Sequence, residues 1–215
     1  MRKLIKDDEP LPSHTKLKYF ECYAKIVLED MFPKIFFNLK IKDKPDLQNN
    51  ISNIGVEVTS SVDKSHKEAE ALYAEWSYKE DCNRNFIEKQ IKKCGAKIEE
   101  GILIGKPGED SFLNVIKQAK LKVLKLNKYS HFTKQYLFIF SDILADKHML
   151  DSALEELREI CDRPNSFDCI FVLVPEQIYI FDLIKNKWSV RAISNKKQYE
   201  HGMIAREMVI LEENK

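Results

Sequence analysis

Two acidic residues in an apolar setting carry the most chemistry in this chain: Asp46, directly after Pro45, and Glu57, between Val56 and Val58. Around Glu57 the residues alternate like a strand, with Ile54, Val56 and Val58 on one face and Gly55, Glu57 and Thr59 on the other. On a sheet covered on both faces Glu57 is expected to be partly desolvated, and a carboxylate there costs free energy unless a cation or a hydrogen-bond donor offsets it. Glu57 therefore marks a candidate site. Two carboxylates on neighbouring strands form half a cage for Mg²⁺ (or Mn²⁺), which prefers a few carboxylate oxygens plus water. Such an ion neutralises phosphoryl oxygens and lowers the pKa of a water, the two requirements of phosphodiester hydrolysis.

A basic stretch is the second chemical feature. Between Asp110 and Asp142 there is no acid, while Lys117, Lys120, Lys122, Lys125, Lys128 and Lys134 all fall there. On a helical wheel Lys120 lies inside the apolar stripe, Lys122 lies at its other edge beside Val115 and Ala119, and Lys125 points away.

The elements that must position these residues alternate between helix and strand periods. A helix is predicted from about His14 to Met31, with Leu17, Phe20, Ala24, Val27, Leu28 and Met31 on one side, Ser13 or Thr15 as cap, and Glu21 at the edge of the stripe. Ile35 to Ile41 reads as a first strand, Asp46-Leu47 opens a second, and Ile54 to Thr59 is a third, with turn chemistry at Asn49, Asn50 and Asn53. Residues 64–94 read as helical with a break near Asp81 to Asn83, and Ile98 to Ile104 as a brief strand before the Gly105-Lys106-Pro107-Gly108 turn. A helix is expected from Asp110 to Tyr129, with Phe112, Ile116, Ala119, Val123 and Leu126 down one side. Buried strands follow at Tyr136 to Phe140 and Cys169 to Pro175, separated by an amphipathic helix at Ser152 to Cys161. Ile178 to Asp182 and Trp188 to Ile193 form an expected hairpin. The resulting organisation is a loose arm at 1–12, one α/β domain over 13–200 and a charged tail at 201–215.

Composition bounds the function. Thirty-five lysines and arginines against 34 acids leave a net charge of +1, so nucleic-acid affinity must come from local clustering. The five cysteines show no CxxC spacing and no histidine pair beside them, which points to reduced thiols in a cytoplasmic protein and to no zinc site. No run of roughly 18 apolar residues is present, so no membrane partner is expected.

The order helix, three strands, helix, strand, with Glu21 on the first helix, Pro45-Asp46 on the second strand and Glu57-Val58-Thr59 on the third, resembles the PD-(D/E)XK nuclease superfamily over roughly residues 16 to 140. The resemblance implies a restriction-endonuclease-like three-layer α/β/α fold with a central mixed β-sheet, acting on nucleic acid with DNA the expected substrate. It implies Asp46, Glu57 and the Val58 carbonyl as metal ligands and Glu21 as an acid that binds the metal through water. A homodimer is compatible with it. Thr59 departs from the pattern, because that family places there a lysine that orients the attacking water and offsets negative charge. Some members supply the lysine from a helix, and the run Lys122-x-x-Lys125-Leu126-x-x-Tyr129 looks like such a variant. The wheel favours Lys120 and the resemblance Lys122, with Lys117 and Lys125 left to contact nucleic acid. Loss of catalysis, leaving a domain that binds nucleic acid or a protein without cutting, is the competing reading.

Overall fold

Strand β3, Ile54–Ser60, is the centre of the site and owes its place to alternation: Ile54, Val56 and Val58 enter one core while Glu57 and Thr59 face the other way. The computed structural model describes residues 9, 11, 12, 14–79, 81–105 and 111–215. The first element is α1, Tyr19–Met31, followed by the short β1, Lys40–Ile41, and β2, Leu47–Asn49. After β3 come α2, Lys64–Tyr78, α3, Arg84–Lys93, and a hairpin of β4, Lys97–Glu99, with β5, Ile102–Ile104. The chain continues through α4, Leu113–Val123, a 3-10 turn at Leu126–Lys128, β6, Lys134–Phe140, α5, Lys147–Cys161, and β7, Cys169–Val174. It ends with β8, Gln177–Asp182, β9, Lys187–Ala192, and α6, Asn195–Glu213.

Seven strands form one mixed sheet in the order β1-β2-β3-β6-β7-β8-β9. The central pairs β3/β6 and β6/β7 are parallel and the flanking pairs antiparallel. One face packs on α1 through Val27, Leu28, Val56, Val58 and Phe138. The other packs on α4 and α5 through Val115, Ala119, Leu137, Ile139, Leu154 and Leu157. The architecture is thus α/β with helices on both faces of a mixed sheet. Glycine is required at Gly55: a Cβ there would lie 2.7 Å from Pro45 Cγ and 2.8 Å from the Phe132 ring.

Several expectations change. The stretch Ile35 to Ile41 is a strand only at Lys40–Ile41, because Asn38 turns to a φ of 53° and Ile35 and Phe37 are exposed. The first helix starts at Tyr19, not near His14, and Phe20 is exposed. Ile98 to Ile104 is a hairpin, and the helix expected to run to Tyr129 stops at Val123. Residues 201–215, expected as a charged tail, belong largely to α6, whose Ala205 and Val209 pack with Cys22 of α1 and whose His201 is buried. The helix start at Asp110, the Lys106 to Gly108 part of the turn, the Ser13 cap and most of the arm at 1–12 lie outside the described residues.

Between β3 and α4 the chain makes an excursion with a small core of its own. Ala69, Ile87, Ile91, Cys94 and Ala96 close it, with Leu72, Tyr73 and Trp76 packed around them.

Candidate active site

The β2/β3 ladder pairs Leu47 with Val56, so one residue further along it sets Asp46 beside Glu57. Val58 N–H donates to Asp46 Oδ2 at 2.8 Å, which fixes the first carboxylate on the backbone of the strand that carries the second. Glu57 is 4% exposed. Its Oε1 accepts from Lys122 Nζ at 2.5 Å and from the Tyr129 hydroxyl at 3.0 Å. Its Oε2 is buried and has no hydrogen-bond partner. Lys122 Nζ also lies 3.4 Å from the Val58 carbonyl, as donor. The cation thus spans 65 residues of sequence to reach the acid.

The charges act on one another as this geometry dictates. Burial pushes the Glu57 carboxyl above its usual range, the Asp46 charge adds to the rise, and the hydrogen bonds from Lys122 and Tyr129 oppose it. Glu57 in turn helps hold the Tyr129 hydroxyl in its protonated form, after burial itself. Glu21, in the first turn of α1, is buried, and its carboxyl is raised by burial and by Asp46 while Lys18, at 2.7 Å, holds it down. Three acids therefore stand in a row, Glu21, Asp46 and Glu57, with a lysine paired at each end.

The structure brings together Glu21, Asp46, Glu57, Val58 and Lys122. It leaves Lys120 out: that residue is exposed on the far side of α4, because the buried arc of the helix runs through Val115, Ala119 and Val123, and Lys122 flanks that arc on the side of β3. Lys117 and Lys125 are exposed and do not enter the carboxylate row. Thr59 donates from its hydroxyl to Gln118 Oε1 at 3.5 Å, so it faces α4 one turn before Lys122. Tyr129 and Gln118 are additions that sequence reasoning did not assign. The signal for Tyr129 was its place seven residues after Lys122 with a 3-10 turn between, a geometry no single period describes.

Among the described residues no three histidine, cysteine, aspartate or glutamate side chains converge as a metal-binding cluster. A hard cation that keeps most of its water needs less: one or two carboxylates suffice. Asp46, the unpartnered Glu57 Oε2 and the Val58 carbonyl fit that smaller set, whereas Glu21 is committed to Lys18. In comparisons with known proteins, no family model matches the sequence, and neither a curated protein nor a solved structure matches it.

Proposed function

We propose that this chain is a metal-dependent phosphodiesterase of nucleic acid, with DNA the first substrate to test, built on a restriction-endonuclease-like version of the three-layer fold. The observation that carries the reading is Lys122 Nζ at 2.5 Å from Glu57 Oε1, a cation delivered by a helix to the acid beside which Thr59 leaves none. Asp46, Glu57 and the Val58 carbonyl would hold Mg²⁺ or Mn²⁺, which when bound supplies charge neutralisation at the phosphoryl oxygens and a more acidic water. Val58 N–H holds Asp46 in place, and Tyr129 and Lys122 orient Glu57 and favour its charged form against its burial. Lys122 stands where a positive charge offsets the negative charge that develops during hydrolysis. Lys117 and Lys125 offer exposed charge to phosphates nearby.

Supercoiled plasmid with Mg²⁺ or Mn²⁺ tests this. The wild type is expected to nick it, and Glu57→Gln and Lys122→Met to lose about 10²-fold or more of the rate. Nicking at the wild-type rate by Glu57→Gln overturns the assignment. The direct contact of Lys122 with Glu57 also favours a second reading, a degenerate domain whose ion pair is complete without a cation. That reading expects no heat when Mg²⁺ or Mn²⁺ is titrated into the wild type.

A further inference from the structure

Helix α3 presents a surface that the carboxylate row does not use. Its inner side, Ile87 and Ile91, is buried in the small core of the excursion. Its first turn is held by Asn83, whose side chain accepts from Phe86 N–H. One flank is locked to α2: the Trp76 indole donates to Glu88 at 3.1 Å, and the Arg84 guanidinium lies 5.0 Å from the centre of the Trp76 ring.

At 100° per residue the opposite arc of α3 holds Asn85, Phe86, Lys89, Lys92 and Lys93, all exposed. Glu88, the sole acid of the helix, lies outside that arc. Among the described residues Lys89, Lys92 and Lys93 have no ion-pair partner. Lys92 and Lys93 occupy the last turn, where the helix dipole favours cations by about 0.3–1 kcal/mol. That effect gives no reason for Lys89. Nor does it explain Phe86, 56% exposed at the margin of the lysines. A lone exposed aromatic is ordinary, whereas one set in a basic arc offers a face on which an unpaired base can stack. The unit that carries this arc leaves the sheet after β3, which holds Glu57, and rejoins the fold at α4, which holds Lys122.

We infer that the outer face of α3 binds single-stranded nucleic acid, with Lys89, Lys92 and Lys93 on its phosphates and Phe86 stacked on one base. The choice of this polyanion as occupant rests on the phosphodiesterase reading of the site. Charge complementarity and the ring are the two features that select it over a protein partner.

Binding is tested with a fluorescein-labelled single-stranded oligonucleotide by anisotropy, across KCl concentrations and in EDTA so that no cleavage enters. The wild type is expected to bind with a steep salt dependence. The triple variant Lys89→Gln, Lys92→Gln, Lys93→Gln is expected to lose about 2 units of the slope of log affinity against log salt, at about 0.7 per single-strand phosphate contact. The matching triple change to arginine keeps the slope and shows that the helix is intact. Phe86→Ala is expected to weaken binding about fivefold or more with the slope unchanged. No binding by the wild type, or a glutamine variant with the wild-type slope, overturns the inference. Because metal is absent, a protein that binds through α3 but never nicks plasmid refutes the phosphodiesterase reading alone, and one that nicks with an unchanged slope refutes the α3 surface alone.

Discussion

Replacing Lys122 by methionine keeps the length of the side chain and removes the charge that faces Glu57. The pair is unevenly buried, with side-chain exposures of 18% for Lys122 and 5% for Glu57. Breaking a fully buried pair costs about 3–5 kcal/mol, so the partly open lysine end puts the expected loss near the lower figure, about 3 kcal/mol. The loss is limited by protonation, since Glu57 can take up a proton instead of remaining an unpaired anion. Its carboxyl already sits above the usual range through burial and the Asp46 charge, and loss of Lys122 raises it further. The folded protein then holds a proton that the unfolded chain releases. Stability contributed by Glu57 is therefore full below the ordinary glutamate range and is lost as pH rises through the raised folded value, by up to about 1.4 kcal/mol per pH unit for one proton. For a chain of this size 1 kcal/mol moves the melting temperature by about 2–4 °C. Lys122→Met is expected to melt about 6–12 °C below wild type at pH 8 and within about 2 °C of it at pH 5. Melts followed by circular dichroism or tryptophan fluorescence at both pH values measure this, with Glu57→Gln/Lys122→Met expected to recover most of the loss at pH 8. An equal depression at pH 5 and pH 8 refutes the ionic coupling and leaves Lys122 as packing alone.

Two further outcomes test the rest of the site. Tyr129→Phe removes a hydroxyl that donates to Glu57 Oε1 and so favours the charged acid; the pH of half-maximal plasmid nicking is expected to move upward, and an unchanged profile separates Tyr129 from Glu57. Gly55→Ala drives a methyl into Pro45 and Phe132 and is expected to cost about 1–3 kcal/mol in urea unfolding, whereas an unchanged midpoint shows that the contact relaxes freely.

How much of this was legible in the chain depended on whether one period governed the residues concerned. Ile54 to Thr59 could be read because alternation alone puts Glu57 opposite two valines, and the core beneath α1 takes in Ile54, Val56 and Val58 but not Glu57. The wheel favoured Lys120, the lysine the structure leaves out, because its stripe ran through Ile116, which is only half-buried, whereas the buried arc is centred nearer Val115 and Ala119. A shift of one position in that arc exchanges a core-facing lysine for a solvated one. At Ile35 to Ile41 the aromatic run imitated a strand, but its partner β2 is three residues long and a left-handed Asn38 delays the extended backbone until Lys40. The last helix was hidden by its own surface: Tyr199, Met203, Ile204 and Leu211 are exposed while His201 is buried, which blurs any amphipathic signal. The ion pair with Lys18 at Glu21 could not be read either, since it depends on where α1 begins.

The excursion between β3 and α4 has consequences for how this fold can vary. Its core is internal to α2, α3 and the β4/β5 hairpin, while β3 and β6 are held together by their own parallel ladder. Loop-closure entropy rises by only about 0.6 kcal/mol for each doubling of loop length, so exchanging this segment for a longer or shorter one makes a small demand on the sheet. A graft at Ser61 and Phe112 would replace the proposed α3 surface and leave the carboxylate row intact. If the proposed phosphodiesterase and the α3 surface hold, recognition and chemistry are physically separable, and a lineage could change its targets without rebuilding the carboxylate row.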